Sequence, residues 1–357
     1  MALSLVVTGW LTACTLGDAA GEPPPPPAAA SPRSTPAAEP VTIVAGLEAP
    51  WSLARIATSM LISERDTGRI RELTAAGALR DVLTVEDVAH GGEGGLLGLA
   101  FDGDVGLYVY STAADGNRVQ RYVVEGAPGA LRLTDPRTIV ESLPRAGNHN
   151  AGRIAFGPDG MLYVPVGDAG DRGAAQDPAA MNGKILRLEP DGGIPPDNPT
   201  PGSPVYSLGH RNVQGLAWAL DGRLFASEFG QNTWDELNEI IPGGNYGWPV
   251  VEGEGGGDQG FVDPLQTWPT DAASPSGIAV IDDRILIANL RGEVLRSVPL
   301  TDLGTSREFF AGTFGRLRDV AAGADGAIWV LTNNTDGRGD PREGDDRIIA
   351  IPPHLLD

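Results

Sequence analysis

The segment IAFGPDGMLYVPVGD (154–168) contains two short apolar runs separated by the turn sequence Pro-Asp-Gly. Apolar runs joined in this way are a strong signal for a β-hairpin. Five further segments repeat the pattern: WSLARIATSMLISER (51–65), LAFDGDVGLYVYST (99–112), LAWALDGRLFASEFG (216–230), IAVIDDRILIANLRG (278–292) and VAAGADGAIWVLTNN (320–334). Consecutive copies start 48, 55, 62, 62 and 42 residues apart. Hairpin repeats of this length are typical of a β-propeller, so six copies predict an all-β, six-bladed β-propeller.

The composition agrees with a fold of many short strands and tight turns, since the 357 residues include 49 Gly and 30 Pro. A ring of blades needs a closing strand, and either VTIVAG (41–46) or RIIAIPP (347–353) could supply it. The sequence leaves both open. Two stacked β-sandwich domains are the alternative architecture, but long and unequal insertions between similar hairpins favour blades that carry functional loops.

The N-terminal region predicts export. Residues 2–13 are mostly apolar and end in Leu-Thr-Ala before Cys14, which resembles a bacterial lipobox, although no Lys or Arg precedes the apolar run. We expect a signal segment at 1–14, a Pro- and Ala-rich extended linker at 15–40 and the propeller at 41–357. The protein would then be extracytoplasmic, either anchored to the cell envelope by an N-terminal lipid or secreted. A buried or incidental cysteine is the alternative.

The formal net charge of −21 argues against nucleic acid as a partner, because binding to phosphate backbones is driven largely by Lys and Arg. The single cysteine excludes an intramolecular disulfide and a metal site with two cysteines. No stretch contains the roughly 18 consecutive apolar residues that a membrane span requires.

Polar, glycine-rich segments accompany the predicted hairpins, and the loops of a propeller converge at the mouth of its central channel. These segments are GGEGGLLGLAF (91–101), GNHNAGRIAFGPDGMLYVPVGDAGD (147–171), KILRLEPDG (184–192), SLGHRNVQGLAW (207–218), SEFGQNTWDELNEIIPGGNYGWP (227–249) and FGRLRDVAAGADG (314–326). In this order and spacing, together with SPSG (274–277), they resemble the soluble glucose and aldose sugar dehydrogenases that depend on pyrroloquinoline quinone (PQQ) and calcium, the glucose/sorbosone dehydrogenase family. The resemblance covers essentially the whole chain after the linker.

The histidine of GNHN is the candidate general base. An unperturbed imidazole has a pKa of about 6.5, so it can accept a proton from a sugar hydroxyl at physiological pH. The resemblance assigns this role to His149 and implies that Asp168, nineteen residues further on, supports it. Such a carboxylate orients the imidazole and stabilises its protonated form. A loop histidine that bonds a backbone carbonyl is the alternative.

PQQ carries three carboxylates and an ortho-quinone, so its site needs positive charge and hydrogen-bond donors. The resemblance implies cofactor contacts at Glu93, Asn148, Arg211, Asn212, Arg291, Arg316 and Arg318. Guanidinium groups suit this role because they bind carboxylates with two hydrogen bonds and keep their charge. Arg291 aligns with a lysine of the family, and Glu93 stands where a Gln often contacts the cofactor. A carboxylate there would repel an anionic quinone unless it is protonated or paired.

The resemblance also implies two calcium sites. A Ca²⁺ beside the cofactor would bind the main-chain carbonyls of Gly230 and Gln231, since Ca²⁺ favours oxygen ligands and tolerates irregular geometry. A second, structural Ca²⁺ would bind through Glu236 and Tyr246. The alternative for Glu236 is an ordinary loop carboxylate.

The resemblance implies an aldose 1-dehydrogenase. His149 would remove the proton of the anomeric hydroxyl while hydride passes from C1 to PQQ, giving a lactone, and an external quinone or redox protein would reoxidise the cofactor. A non-catalytic propeller binding module of the same family is one alternative. A calcium-dependent propeller lactonase is another, although such a site needs several carboxylate and Asn side chains around one axial Ca²⁺. The sequence does not specify the sugar.

Overall fold

The computed structural model describes Gly9, residues 39–323 and residues 326–357. The signal segment and linker predicted for residues 1–40 therefore lie outside the described residues, apart from Gly9 and residues 39–40. From Val41 onward the chain forms six four-stranded antiparallel sheets, which confirms the predicted all-β, six-bladed β-propeller. The first strand, β1 (Val41–Val44), belongs to the last of these blades.

The other strands follow the order of the chain. Blade 1 contains β2 (Pro50–Ile56), β3 (Ser59–Glu64), β4 (Arg69–Leu73) and β5 (Leu79–Thr84). Blade 2 contains β6 (Leu96–Phe101), β7 (Gly106–Thr112), β8 (Asn117–Glu125) and β9 (Arg132–Leu143). Blade 3 contains β10 (Ala155–Phe156), β11 (Leu162–Val166), β12 (Lys184–Leu188) and β13 (Val205–Leu208).

The second half of the ring repeats this arrangement. Blade 4 contains β14 (Val213–Trp218), β15 (Leu224–Glu228), β16 (Trp234–Ile240) and β17 (Gln266–Pro269). Blade 5 contains β18 (Pro275–Ile281), β19 (Arg284–Asn289), β20 (Leu295–Pro299) and β21 (Arg307–Phe309). Blade 6 contains β22 (Leu317–Ala322), β23 (Ile328–Thr332), β24 (Ile348–Ile351) and β1.

Each of the six predicted hairpins forms the first two strands of one blade. In blade 3, Ala155 pairs with Tyr163 and Phe156 pairs with Leu162 across the Pro-Asp-Gly turn. The first strands of neighbouring blades contact one another around the ring, so they line the central channel. The repeated hairpins in the sequence are therefore the inner halves of the blades.

Both candidate closing strands are used. Val41 pairs with Ala350 and Thr42 pairs with Ile349, so β1 forms the outer edge of blade 6 beside β24. The ring is thus closed by pairing between the first and last strands of the propeller. This arrangement answers the question that the sequence left open.

The core lies between the blades rather than within one central mass. Six hydrophobic clusters each fill the space between two neighbouring sheets. Between blades 2 and 3, for example, Tyr108 and Tyr110 pack against Val164 and Leu186, all buried. Burial of such a side chain contributes about 1.5–3 kcal/mol, so the faces of the sheets stabilise the ring.

The loops that enter each first strand and those that follow each second strand gather at one end of the channel.

Short 3-10 helices lie at Gly173–Gln176, Gly257–Gln259 and Pro353–Leu356. Across the described ranges, no helix has the length and apolar character needed to cross a membrane.

Candidate active site

The gathered loops enclose a cavity of about 260 Å³ at that end of the channel. The residues that line it come from the five connections between consecutive blades and from within blades 4, 5 and 6. The sequence-predicted residues among them are Glu93, His149, Arg211, Gly230, Gln231, Arg291 and Arg316. The proposed base, three of the proposed cofactor arginines and both proposed calcium carbonyls therefore share one space.

His149 lies in the loop that leads from β9 to β10. Its backbone has a φ of 54°, in the left-handed region that non-glycine residues adopt uncommonly, and its N–H donates to Glu93 Oε2 over 2.8 Å. Gly167 lies directly beneath it, because a Cβ at that position would fall 1.8 Å from the His149 carbonyl oxygen. The loop is thus fixed closely against the end of β11.

The imidazole of His149 is oriented by Asp168. Its Nδ1 lies 2.7 Å from Asp168 Oδ1. Since an ionised carboxylate can only accept a hydrogen bond, Nδ1 carries the proton and Nε2 keeps its lone pair in the neutral ring. The Nε2 atom lies 3.3 Å from Nδ2 of Asn148, an exposed side chain that contacts the imidazole. This is the tautomer that a general base requires.

Asp168 is fully buried and anchored on three sides. Besides the imidazole, it accepts hydrogen bonds from the indole N–H of Trp248 at 2.9 Å and the backbone N–H of Gly170 at 2.8 Å. Burial alone would raise the pKa of Asp168, but these three hydrogen bonds outweigh burial and hold the pKa below its ordinary value. The carboxylate therefore keeps its charge beside the imidazole.

Arginine side chains supply positive charge around the cavity. Arg211 donates to the carbonyl of Phe229 at 3.0 Å and lies over the ring of Trp248. Burial lowers the pKa of Arg211, while nearby carboxylates led by Asp168 oppose the change. Arg316 is buried and pairs with Asp336 at 3.1 Å. These groups form a cationic wall within an acidic protein.

Arg318 lies in the adjoining part of the channel. It lines a small neighbouring cavity that shares Glu93 and Phe229 with the main one. Burial lowers the pKa of Arg318 to about 9, the Asp336 carboxylate opposes the shift, and the nearby guanidinium of Arg316 adds to it. A pKa of this value keeps the group charged at neutral pH, so a bound anion would relieve repulsion between the arginines.

Among the residues predicted to contact the cofactor, three buried donors have no hydrogen-bond partner in the described part of the chain. They are Nε of Arg211, Nε of Arg316 and Nδ2 of Asn212. Asn212 is fully buried behind the His149 loop, where its Oδ1 accepts the N–H of Ala151 at 3.0 Å. A buried donor without a partner costs about 1–3 kcal/mol, so this donor set fits a ligand rich in carboxylate and carbonyl oxygens such as PQQ.

The carbonyls of Gly230 and Gln231 are held in position from behind by Glu252. Glu252 Oε1 accepts the backbone N–H groups of residues 231–234 over 2.7–3.2 Å. Burial would raise the pKa of Glu252, but these hydrogen bonds outweigh burial and lower it. In a trans peptide the C=O points opposite to the N–H of the next residue, so both carbonyls point away from Glu252. Neither carbonyl accepts a hydrogen bond from a described residue, so both fit a Ca²⁺.

Glu236 and Tyr246 lie behind this loop, at a cavity of about 10 Å³ that Glu228 and Glu252 also line. Burial and repulsion from Glu228 raise the pKa of Glu236 to about 8. The Tyr246 hydroxyl already bonds the Glu239 carbonyl at 2.6 Å and the Ile241 N–H at 2.9 Å. The Tyr246 hydroxyl is therefore already engaged within the protein, and a cation here would meet the carboxylates that line the cavity.

Side-chain clusters alone do not mark a metal site: across the described residues, no group of three or more His, Cys, Asp or Glu side chains is placed to hold an ion. One candidate calcium position depends instead on the main-chain carbonyls of Gly230 and Gln231, and the other depends on carboxylates that include Glu236. Ca²⁺ accepts such mixed oxygen sets.

The sequence model of the family described as Glucose / Sorbosone dehydrogenase matches residues 47–340 of this chain. The chain belongs to this family. The family resemblance drawn from the motifs is thereby confirmed.

Relatives of this glucose/sorbosone dehydrogenase family member include sugar dehydrogenases. The aldose sugar dehydrogenase YliI of Escherichia coli (strain K12) is 30% identical over 333 residues, which cover 82% of this chain and 89% of the relative. The quinoprotein glucose dehydrogenase B of Acinetobacter calcoaceticus is 34% identical over 231 residues, or 54% of this chain and 48% of the relative.

A solved relative has a very similar fold. The PQQ-bound form of aldose sugar dehydrogenase from Streptomyces coelicolor matches with a TM-score of 0.83 and 48% identity, covering 88% of this chain and 99% of that one. The fold of the family member described here is therefore that of a PQQ-binding sugar dehydrogenase.

Three residues of this family member were not predicted as site residues. Trp248 lies in the NYGWP motif, but its bond to Asp168 joins segments 80 residues apart. Glu252 has no sequence signal, because it acts on backbone N–H groups rather than on side chains. Arg338 lines the cavity from the segment DGRGD (336–340), whose loose Gly and Asp pattern reads as an ordinary loop.

Proposed function

We propose that this protein is a PQQ- and calcium-dependent aldose dehydrogenase that oxidises the anomeric C1 hydroxyl of a sugar to a lactone. The observation that carries the proposal is the Asp168-oriented imidazole of His149 in a cavity whose arginines have unused donors. A proton acceptor and an anion-binding wall in one space are what this reaction requires. Family membership adds support from relatives named as quinoprotein and aldose sugar dehydrogenases.

His149 acts as the general base. Its Nε2 lone pair accepts the proton of the C1 hydroxyl as the hydroxyl becomes a carbonyl. The ring then carries a positive charge, which the ionised Asp168 beside Nδ1 stabilises. The His149 N–H donates a hydrogen bond to the Glu93 carboxylate, which helps to fix the position of the loop.

The bound quinone supplies the two-electron oxidising chemistry that no side chain provides. Arg211, Arg316 and Arg318 would hold the anionic cofactor, with Asn212 as a neutral donor, and the exposed Arg291 would contribute charge from the lining of the cavity. The Asn148 side chain beside Nε2 of His149 completes the donors on that side. Their common role is to fix the cofactor and balance its charge.

Calcium binds in two positions in this proposal. The carbonyls of Gly230 and Gln231 would hold one Ca²⁺ at the edge of the cavity, and Glu236 with Tyr246 would hold a structural Ca²⁺ behind it. The structural ion would ionise Glu236, whose raised pKa reflects burial without a compensating positive charge.

The remaining parts of the proposal concern partners and location. An external quinone or redox protein reoxidises the cofactor. The protein lies outside the cytoplasm, attached through a lipid at Cys14 or secreted, with residues 15–40 as a spacer before the propeller. Neither the binding-module nor the lactonase alternative is favoured by a specific observation, since His149 and the arginines are present and share one cavity.

A PQQ titration tests the proposal. Protein freed of metal with a chelator is titrated with PQQ at micromolar concentration, with and without millimolar Ca²⁺, while the absorbance spectrum is recorded. Saturable binding is expected only with Ca²⁺ and should reverse on chelation. Dye reduction is then measured on a panel of aldoses. Absence of any spectral change with Ca²⁺ present would overturn the proposed dehydrogenase and favour the binding module.

A further inference from the structure

Glu93 lines the cavity in which we propose that the anionic cofactor PQQ binds. Its two oxygens are both engaged: Oε2 accepts the N–H of His149 at 2.8 Å, and Oε1 accepts from Nη1 of Arg338 at 3.1 Å. Arg338 itself lines the same cavity. A carboxylate can lie beside an anionic quinone if it is paired with a cation. Arg338, which is 245 residues further along the chain, provides that cation for Glu93.

A hydrogen bond to a neighbouring residue fixes the backbone of Arg338. Its backbone N–H donates to Asp336 Oδ1 at 2.9 Å, and Asp336 Oδ2 pairs with Arg316 at 3.1 Å. Burial would raise the pKa of Asp336, but the charges of Arg316 and Arg318 outweigh burial and hold it below its ordinary value. One ionised carboxylate thus positions two arginines on the cavity wall.

The close packing of this turn needs a residue without a side chain. A Cβ on Gly339 would lie 2.8 Å from Cδ of Arg316 and 2.8 Å from backbone atoms of Asn334. The loop after β23 therefore lies directly against Arg316, and Arg338 reaches from there to Glu93 at the entrance to blade 2. The ion pair spans the mouth of the cavity.

We propose that Arg338 is a cofactor-site residue whose positive charge neutralises Glu93. The pair would then contact PQQ as a neutral unit, in the place of the glutamine that often stands at position 93 in the family. This inference rests on the proposed function. It predicts that the affinity for PQQ follows the net charge of positions 93 and 338: zero in the wild type, +1 when Glu93 is neutralised and −1 when Arg338 is neutralised.

The role is one of charge balance and not of fold stability. The Arg338 side chain is 49% exposed, and ion pairs of this kind contribute little to folding because solvent screens them. Once a ligand covers the cavity, the same charges act through a medium of lower dielectric constant. One unit of charge close to an anionic ligand then changes its affinity by roughly tenfold or more.

The test is a PQQ titration, with Ca²⁺ present, of the wild type, Glu93→Gln, Arg338→Gln and the double variant. Arg338→Gln should weaken binding by roughly tenfold or more, because it leaves an unpaired carboxylate. Glu93→Gln should tighten binding, and the double variant should return close to the wild type. Glutamine keeps an acceptor for the His149 N–H, so that loop stays in place. High salt should shrink the differences.

Two controls separate local charge from general effects. Arg338→Lys keeps the positive charge, so its affinity for PQQ should stay near that of the wild type. If Arg338→Gln bound PQQ weakly only because it failed to fold, the double variant, which carries the same substitution, would not recover. The exposed pair Arg132 and Glu125, at 3.7 Å on blade 2 and remote from the cavity lining, provides a matched cycle of charge removals. Neutralising either of these residues should leave PQQ affinity unchanged.

The outcomes are distinguishable. If the wild type binds no PQQ with Ca²⁺ present, the proposed function fails and this inference fails with it. If the wild type binds PQQ but Arg338→Gln binds equally well, or if the double variant is as weak as Arg338→Gln, the compensating pair is refuted while the proposed function stands. Recovery in the double variant is the result that supports the pair.

Discussion

His149 has the least common backbone conformation among the proposed catalytic residues, and its environment explains how that conformation is maintained. Glu93 holds its N–H, Asp168 holds its ring, and Gly167 leaves room for its carbonyl. A non-glycine residue in the left-handed region costs of order 1–3 kcal/mol, and the conformation persists where the surrounding structure fixes it. The protein accepts this cost where the imidazole must face the cavity.

Replacing His149 with Ala should leave PQQ binding nearly intact, because the arginines and the two main-chain carbonyls remain. Turnover should fall by roughly 10²–10⁴-fold, the range expected for loss of a positioned proton acceptor. PQQ titration measures the first effect, and dye reduction with an aldose measures the second. The exposed His90 provides the control, since His90→Ala should behave as the wild type.

Asp168→Asn should preserve PQQ binding and lower turnover, because the imidazole loses the charge that stabilises its protonated form. The same substitution has a consequence for stability. The folded-state pKa lies below the ordinary 3.8, so Asp168 stabilises the native protein fully above about pH 4 and loses that contribution as pH falls through the folded value.

Thermal unfolding between about pH 3 and pH 6 measures this contribution. The decline of Tm on the acid side should be shallower in Asp168→Asn than in the wild type, with exposed Asp171→Asn as the matched control. An Asp168→Asn protein with wild-type turnover at every pH would show that the carboxylate does not support the base.

At the scale of elements, function depends on how short loops between strands are shaped. The loop from β15 to β16 presents its carbonyls to the cavity because Glu252, from the loop after β16, collects its N–H groups on the other side. The carbonyls of Gly230 and Gln231, the ligands proposed for the Ca²⁺ at the main cavity, are thus oriented by a carboxylate on the opposite side of the loop.

Glu252→Ala should weaken Ca²⁺ binding by about 10–100-fold, since outer residues that orient ligands have effects of this size. Calorimetric titration of Ca²⁺ into metal-free protein measures the change without any turnover. Glu252→Gln keeps an acceptor oxygen and should be intermediate. Glu254→Ala removes the same charge from an exposed neighbour and should bind Ca²⁺ normally. Equal weakening by both alanine variants would point to general charge rather than to loop orientation.

At the scale of the whole molecule, the ring holds the active site only if it stays closed. The cavity is lined by residues from Glu93 to Arg338, so every blade must keep its place relative to the others. Closure depends on β1, which pairs with β24 and packs Ile43 and Val44 against the cluster between blades 6 and 1.

A chain that begins at Ala45 should unfold at a lower temperature than one that begins at Val41, because it loses the β1 ladder and exposes the edge of β24. With each hydrogen bond worth about 0.5–1.5 kcal/mol, the loss should be roughly 2–4 kcal/mol. Scanning calorimetry of the two chains gives the comparison. Equal Tm values would mean that blade 6 closes the ring with three strands.

The number of blades, the inner hairpins and the candidate base could be predicted from local sequence patterns. A hairpin is specified by neighbouring residues, so Pro-Asp-Gly between apolar runs is enough to predict one. The motif segments likewise identified the family. Local chemistry repeated six times leaves few alternative folds.

Which of these groups lie in contact became clear from the folded chain. The pairing of β1 with β24 joins the two ends of the propeller, and the contact between Glu93 and Arg338 spans 245 residues. Trp248 reaches Asp168, and Glu252 acts on backbone N–H groups that carry no mark in the sequence. Such contacts depend on how the blades close around the channel, and no local pattern encodes a distance between residues so far apart in the chain.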